Sequence, residues 1–360
     1  MSQRAVTLNR SVWRGVFYLT GGGSGFLSEL LGTAGASKTV LEVVVPYAET
    51  ALAELLGQAP DQACSDATAR ALAMAAFQQV KHLHRNADFD ASAAFGLGCT
   101  ASLATDRAKR GKHRAFVAVQ TQAATYTAHL GLDGDRAIEE VSLLDMLWHA
   151  LSASLDLNLE TPPPEGLDSN RTEANEHWRA LVADEATALS TQEHDGKLLF
   201  PGAFNPLHHA HQSMLDIAEA KTGLTGAYEL SIINVDKPAL DYMEIESRLQ
   251  QFNNPAWLTR LPTFLDKARF FPGAHFVVGT DTVTRIVDPL YYPSRSARDE
   301  TLTELVDLGS RFIVFGRLTG DAFRALSDLK LPSGFRKICA EVSEREFNEP
   351  ISSTELRKRS

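Results

Sequence analysis

From Lys197 to Arg317, short apolar runs alternate with stretches whose apolar residues recur at helical spacing, such as HQSMLDIAEAKTG and TLTELVDLG. This alternation is typical of parallel strands that helices cover on both faces. It predicts an α/β fold with a doubly wound parallel sheet. The strand candidates are KLLFPG (197–202), YELSIINV (228–235), HFVVGTD (275–281) and RFIVFGR (311–317).

The carboxyl ends of these four strands are where a ligand is expected, because open parallel sheets bind ligands beyond that edge. The residues found there are PGAFNP, NVDKP, GTD and FGR. Glycine allows close backbone approach, and the polar residues supply donors and charges. This edge is therefore the first place to seek a functional site.

The first 157 residues show similar alternation and predict a second α/β domain, as expected for a chain of 360 residues. Three consecutive prolines, Pro162 to Pro164, follow and predict a stiff linker, and residues 172–189 have a helical pattern. The predicted domains are an N-terminal one (1–157), an acidic, proline-containing linker and helix (158–195), and a C-terminal one (196–360).

The composition is that of a folded, acidic protein. Hydrophobic residues make up 44% and charged residues 22%, and the net charge of −10 would repel nucleic acid, so no nucleic-acid partner is expected. The cysteines, Cys64, Cys99 and Cys339, are odd in number and far apart, which favours a reducing compartment over a disulfide framework. No run has the length of a signal-peptide core or a membrane span, so we expect a cytoplasmic protein with no membrane partner.

The segment GAFNPLHHAH (202–211) places three histidines directly after a glycine–proline turn. His208 and His211 are three residues apart at the start of a predicted helix and share one face, whereas His209 points elsewhere. Helix N-termini attract anions, and two imidazoles there can donate hydrogen bonds to phosphate oxygens. A zinc site would need a third ligand such as His275 or His177. The G-x-F-x-P turn after a strand favours phosphate binding, and we predict no metal site.

The C-terminal segment PISSTELRKRS (350–360) combines hydroxyl groups with arginine. Ser352, Ser353 and Thr354 supply hydroxyl and backbone donors at a predicted helix start, and Arg357 follows one turn later. This composition is suited to pyrophosphate charge. Taken alone, it is equally the pattern of an ordinary helix cap followed by a solvated basic tail.

The two segments together resemble the nucleotidylyltransferase superfamily, with its HxGH and ISSTxxR signatures. The resemblance covers residues 197–360 and departs at Ala210, where the family usually has glycine. It implies a Rossmann-like domain that binds ATP, with Mg²⁺ carried by the nucleotide. The implied nucleotide-binding residues are Gly202, Ala203, Phe204, His208, His211, Gly279, Asp281, Ser352, Ser353, Thr354 and Arg357.

Within that superfamily, GTD (279–281) resembles the G-x-D of nicotinamide or nicotinate mononucleotide adenylyltransferases. By that likeness Asp281 would bind a ribose. The implied catalytic residues are His208, His211, Lys237 and Arg357, and Lys237 could instead belong to a plain polar turn. The implied partners are ATP and a pyridine mononucleotide, in amide or acid form. Two other interpretations stay open: a cytidylyltransferase or adenylyltransferase acting on another phosphate ester, and a non-catalytic nucleotide-binding scaffold or regulator.

The N-terminal sequence resembles the CinA C-terminal family of nicotinamide-nucleotide amidohydrolases. The resemblance rests on a strand, a Gly-rich turn and a helix near residue 20, on GTAGASK (32–38), and on GDR (134–136). Gly22 stands at the family's nucleophilic serine position and Leu52 at its activating lysine position. Both departures imply a domain that has lost the hydrolase activity and serves folding, ligand binding or homo-oligomer formation. The glycines do not match G-x-G-x-x-G, so dinucleotide binding at this turn is not predicted.

Overall fold

The computed structural model describes residues 2–83, 90–106, 111–235, 237–319, 322–349, 351 and 356. Its contacts divide the chain into two compact units. The first comprises Met1–Glu185 and Asp236–Ile245, and the second comprises Ala186–Val235 and Glu246–Ser360. The α/β class with a doubly wound sheet in the second unit is as predicted. The functional boundaries at residues 157 and 195 stay a prediction.

The first unit is built on a six-stranded mixed sheet of order β2-β1-β3-β4-β5-β6. The first three strands in that order are parallel, and the remaining pairs are antiparallel. The strands are β1 (Arg14–Thr20), β2 (Val40–Val44), β3 (Ala94–Ser102), β4 (His113–Thr121), β5 (Ala124–Leu132) and β6 (Asp168–Glu173). The helices are α1 (Gln3–Arg10), α2 (Ser24–Leu31), α3 (Glu49–Leu56), α4 (Asp66–Leu83), α5 (Arg136–Leu155) and α6 (Glu176–Ala183).

An aromatic cluster fills the core of the first unit between the sheet and helices α2 and α5. Phe17 packs edge-on against Phe95 at a ring distance of 5.4 Å, and Phe26 lies 4.9 Å from Trp148. All four side chains are fully buried. Burying each large aromatic ring stabilises the fold by about 1.5–3 kcal/mol. This core holds the Gly-rich turn between β1 and α2 in place.

The second unit is built on a seven-stranded sheet of order β15-β12-β11-β8-β9-β10-β7. All neighbours are parallel except β7, which pairs antiparallel with β10 at the edge. A short antiparallel hairpin, β13–β14, stands apart from it. The strands are β7 (Ala188–Ser190), β8 (Leu198–Pro201), β9 (Gly226–Ser231), β10 (Ala256–Thr259), β11 (His275–Gly279), β12 (Arg311–Phe315), β13 (Arg317–Thr319), β14 (Ala322–Arg324) and β15 (Cys339–Val342).

Helices cover both faces of this sheet, whose central strands are almost continuously apolar and buried. The helices are α7 (His209–Thr222), α8 (Tyr242–Leu249), α9 (Phe264–Phe270), α10 (Thr280–Val287), α11 (Arg295–Asp307) and α12 (Ser333–Arg336). Gly279 is in register with Phe315, so β11 and β12 end at one level. Within the described residues, no helix is long and apolar enough to cross a membrane.

The helix predicted over residues 172–189 is confirmed only over α6, Glu176–Ala183. That stretch contains the end of β6, helix α6 and the start of β7. The Asn175 side chain accepts a hydrogen bond from Trp178 N–H and begins α6, and Asp184 ends it with a left-handed φ of 72°. The flanking residues pair with β5 and β10 instead. Strand pairing outweighed local helical periodicity here.

Strand ends also differ from the predicted ranges. The strand predicted over 228–235 ends at Ser231, and the one predicted over 275–281 ends at Gly279 because Thr280 already begins α10. Strands β10 and β15 are additions to the predicted set. Their partners are remote in sequence, and this information is absent from local periodicity.

Candidate functional site

The turn that connects β8 to α7 forms the centre of the candidate site. Gly202 N–H still donates to the Glu229 carbonyl oxygen of the neighbouring strand, at 3.0 Å. The chain then turns through Phe204, whose φ is 46°, and through a cis Asn205–Pro206 peptide. Helix α7 begins at His209, with His208 at its N-cap.

The ring of Phe204 stabilises the left-handed backbone of that residue by its packing. Such a conformation costs a non-glycine residue about 1–3 kcal/mol. The ring is almost completely buried and lies 5.4 Å from Phe200 and 4.9 Å from Tyr228. A Cβ added to Gly202 would come within 2.6 Å of the Phe204 ring. Gly202 is therefore required by the neighbouring ring.

Two side chains hold this turn, Arg248 in the last turn of α8 and Gln251 just after that helix. The guanidinium of the buried Arg248 donates to the Ala203 carbonyl oxygen at 2.7 Å. The amide of Gln251 accepts from Leu207 N–H at 2.8 Å and donates to the Phe204 carbonyl oxygen at 3.3 Å. The turn is thus pre-formed by the protein. No pattern in the sequence indicated either side chain.

The structure brings His208 and His211 together. Their rings stack with centroids 3.7 Å apart and an angle of 21° between planes. The N–H of His208 donates to Nδ1 of His211 at 3.3 Å, so Nδ1 is unprotonated and Nε2 carries the hydrogen of the neutral ring. His211 therefore offers an Nε2–H donor. His209 lies apart from the pair and contacts Glu349 at 3.0 Å.

Both stacked rings are held in the neutral form. Burial, and then the neighbouring His208, lower the pKa of His211 to about 3. Burial, and then His209, also lower the pKa of His208. Two stacked imidazolium rings would repel each other, so the pair acts at neutral pH as hydrogen-bond donors rather than as cations.

The residues after β11 lie at the same edge of the sheet. Gly279 caps α10, and Asp281 lies in its first turn, where helix N–H groups favour a carboxylate. Asp281 is half-exposed, and its Oδ2 accepts from Nη1 of Arg317 at 2.7 Å. A Cβ at Gly279 would meet nothing within 4 Å, so this position faces open space.

The other predicted site residues are Lys237 and four residues of the C-terminal segment. Lys237 is exposed and belongs to the segment Asp236–Ile245, which groups with the first unit. Four residues lie outside the described residues, and their roles stay predictions: Ser352, Ser353, Thr354 and Arg357.

The described part of the chain contains no set of ligands for a resident metal ion. There, no group of three or more histidine, cysteine, aspartate or glutamate side chains is arranged to hold an ion.

The first unit has a separate cavity of about 380 Å³ at the carboxyl ends of β1 and β3. Its lining includes Gly21, Leu52, Cys64 and Arg136, and the described lining residues include no lysine or histidine. A Cβ at Gly22 would lie 2.6 Å from Leu103 and 2.9 Å from Leu143, so a serine there would require both leucines to move. Leu52 is buried.

A carboxylate of the protein already lies at the Gly-rich turn beside this cavity. Oε2 of Glu140 accepts from Gly23 N–H at 2.9 Å, and its Oε1 accepts from Arg136 at 3.2 Å. The N–H of Gly23 at the start of α2 is thus satisfied internally. Gly22 and Leu52 themselves carry no nucleophile and no base.

No protein-family profile matches this chain, and no curated protein does either. Solved structures of the CinA superfamily do match. One from Klebsiella pneumoniae is 16% identical, covers 43% of this chain and 94% of its own, and has a TM-score of 0.34. The competence/damage inducible protein CihA from Agrobacterium tumefaciens is 18% identical and covers 42% of this chain and 93% of its own, with a TM-score of 0.32. At this similarity the matches assign no residue role.

Proposed function

We propose that residues 196–360 form a nucleotidylyltransferase that transfers AMP from ATP to nicotinamide or nicotinate mononucleotide and releases pyrophosphate. The observation that carries the proposal is the stacked, neutral His208–His211 pair at the N-terminus of α7, directly behind a pre-formed glycine turn. Helix N–H groups and imidazole N–H groups at one place suit a phosphate chain.

The reaction needs positioning and charge stabilisation more than covalent chemistry. A phosphate oxygen of the mononucleotide attacks the α-phosphorus of ATP, the bond from that phosphorus to the bridging oxygen breaks, and magnesium pyrophosphate leaves. His211 would donate Nε2–H to an oxygen near the reacting phosphorus. His208 would bind the same phosphate chain. Arg357 and the hydroxyls of Ser352, Ser353 and Thr354 would hold the leaving pyrophosphate.

The turn before α7 supports this role because its shape does not depend on a ligand. Arg248 and Gln251 tie down the carbonyl groups of Ala203 and Phe204. The backbone around Gly202 is therefore set before the nucleotide arrives, and little ordering entropy is lost on binding. Pre-organised hydrogen-bond donors stabilise the charge that develops in the transition state, and in most enzymes this is the largest single contribution to catalysis.

The pyridine mononucleotide is the acceptor that the sequence favours, through GTD at 279–281 and the likeness of the N-terminal domain to a family that handles the same nucleotide. Asp281 would accept hydrogen bonds from a ribose. Lys237 would meet a substrate phosphate. The N-terminal domain would serve folding, ligand binding or homo-oligomer formation, and the protein would act in the cytoplasm.

The decisive test is pyrophosphate release by the intact chain with Mg²⁺, each nucleoside triphosphate and a panel of phosphate esters that includes both pyridine mononucleotides. We expect release with ATP and a pyridine mononucleotide, together with the dinucleotide product. Release only with CTP or another ester would replace the proposed substrates. ATP binding without release for any ester would leave a non-catalytic nucleotide-binding protein.

A further inference from the structure

An arginine hairpin follows β12 at the edge of the second sheet where a ligand is expected, and its arginines are not among the nucleotide-binding or catalytic residues implied by the sequence. It is formed by β13 and β14, which pair antiparallel with Arg317 directly opposite Arg324. Directly opposite residues project to the same face of a two-stranded ribbon, with Cβ atoms about 4.5–5.5 Å apart. Two like charges at this spacing destabilise the hairpin unless an anion lies between them.

The hairpin is fixed to the end of β12 by a close contact. A Cβ at Gly316 would lie 2.2 Å from the Phe323 ring, so glycine alone allows that ring to lie against the chain. Phe323 alternates with Arg324 along β14, and the two side chains therefore project to opposite faces. The ring packs on one face and the arginines share the other.

Of the two guanidinium groups, that of Arg317 has a polar partner among the described residues. Arg317 Nη1 donates to Oδ2 of Asp281 at 2.7 Å, with both side chains half-exposed. One contact of this kind leaves further N–H donors of the guanidinium group open to a ligand. In the described part of the chain, the Arg324 side chain has neither an ion pair nor a hydrogen bond.

The hairpin's place in the sheet indicates which anion it would meet. It follows β12, which lies between β11, with Asp281 at its end, and β15, after which the chain leads to the hydroxyl-rich C-terminal segment. Because Arg317 contacts Asp281, a nucleotide whose ribose is bound by Asp281 would lie beside the hairpin. Paired guanidinium groups are suited to adjacent phosphate groups.

We propose that Arg317 and Arg324 together form a binding site for the pyrophosphate part of a nucleoside triphosphate, with Asp281 orienting Arg317. This inference rests on the proposed function for the identity of the nucleotide. The hairpin would contact the two phosphates that leave, so it would contribute to ATP binding and to the departure of pyrophosphate, and little to binding of the mononucleotide.

Calorimetric titration of the intact chain tests this site without turnover. The probes are Mg-ATP, Mg-pyrophosphate and AMP, and the variants are Arg317→Gln, Arg324→Gln and, as a matched control, Arg269→Gln, which removes another exposed arginine from an ion pair with Glu304. Each hairpin variant should weaken Mg-ATP and Mg-pyrophosphate about tenfold, the effect of one charge-assisted hydrogen bond. Binding of AMP, which lacks the two outer phosphates, should change less than about twofold, as should all binding to the control.

The results separate this inference from the proposed function. Unchanged Mg-ATP and Mg-pyrophosphate affinity in both hairpin variants, or an equal loss for AMP, would refute the hairpin site even if the wild type releases pyrophosphate. The expected losses in a protein that releases no pyrophosphate with any ester would support the hairpin and refute the transferase. A wild type that binds neither Mg-ATP nor Mg-pyrophosphate would refute both.

Discussion

His211 illustrates at the residue scale how burial changes what a side chain can do. An exposed histidine with a pKa near 6.5 would carry partial charge at neutral pH. Burial against Phe200 and Phe204, together with the stacked His208, keeps this ring neutral, with its remaining N–H on Nε2. In the proposed site, His211 would therefore act as a neutral hydrogen-bond donor through Nε2–H.

Replacing His211 by alanine should lower kcat about 100-fold or more, because one positioned donor to developing charge is lost. His209→Ala is the matched control, since that ring is exposed and pairs with Glu349 rather than stacking on His211. Pyrophosphate release measures both variants, and circular dichroism checks that both are folded. Equal activity of the two variants would remove His211 from the mechanism.

The lowered pKa of His211 also makes stability depend on pH. Below pH 6.5 the unfolded chain binds a proton at this residue that the folded chain does not bind until about pH 3. The free energy of unfolding should therefore fall as the pH decreases from 6.5, by at most about 1.4 kcal/mol per pH unit for one proton. Urea unfolding at several pH values measures the slope.

The variant His211→Gln separates this contribution from the titration of carboxylates. Glutamine does not titrate, so the slope between pH 6.5 and 5 should be smaller in the variant than in the wild type. An identical slope in wild type and His211→Gln would mean that the ring titrates normally in the folded protein.

At the scale of elements, the turn between β8 and α7 depends on contacts that local sequence does not contain. G-x-F-x-P predicts a turn, and the glycine and proline do break the strand. The conformation itself is set by the Phe204 ring in its aromatic cluster and by Arg248 and Gln251 at the end of α8. Residues more than forty positions away cannot be inferred from the motif.

Gly202→Ala should disrupt this turn, because the added Cβ would approach the Phe204 ring to 2.6 Å. We expect a loss of activity of about 100-fold, the size of effect that a 1 Å displacement of positioned groups produces, with the rest of the fold retained. Gly334→Ala, where a Cβ meets nothing within 4 Å, is the matched control and should retain full activity. Measuring kcat for pyrophosphate release compares them. Full activity in Gly202→Ala would show that the turn adapts.

The helix predicted over residues 172–189, of which only α6 is observed, shows the same limit for whole elements. Trp178 and Leu181 do lie in a helix, so the local apolar spacing was informative over α6. The flanking residues joined two different sheets, one at each end. An edge strand takes its conformation from the strand beside it, and its own sequence only has to permit the pairing.

At the scale of the whole molecule, the first unit is discontinuous in sequence. The segment Asp236–Ile245 belongs to it although the chain has already formed three strands of the second unit's sheet, β7, β8 and β9. A buried ion pair fixes the segment: Arg70 of α4 donates to Asp241 at 2.5 Å and to Glu244 at 3.1 Å. Tyr242 adds a hydrogen bond to the Gln122 carbonyl oxygen at 2.7 Å.

Removing the cation of that pair should be costly. Arg70→Met leaves the Asp241 carboxylate buried without its partner and should lower the free energy of unfolding by about 3 kcal/mol. Adding Asp241→Asn, which can still cap α8 through its side-chain oxygen, should recover part of this loss because no charge remains buried at that position. Denaturant unfolding measures the three proteins. A double variant less stable than Arg70→Met would show that the buried charge is not the source of the loss.

The alternation of apolar runs and helical stretches in residues 197–317 was sufficient to predict the α/β class and the parallel sheet, because strand and helix periodicities are local properties. For the same reason, the segment GAFNPLHHAH was sufficient to predict that His208 and His211 lie on one face at the start of a helix. Tertiary structure alone decided the insertion of residues 236–245 into the first unit, the support of the turn by Arg248 and Gln251, and the pairing of Arg317 with both Asp281 and Arg324. Each of these features depends on contacts between residues that are far apart in the sequence, so local periodicity does not predict it. Such contacts form only when the whole chain packs into its fold.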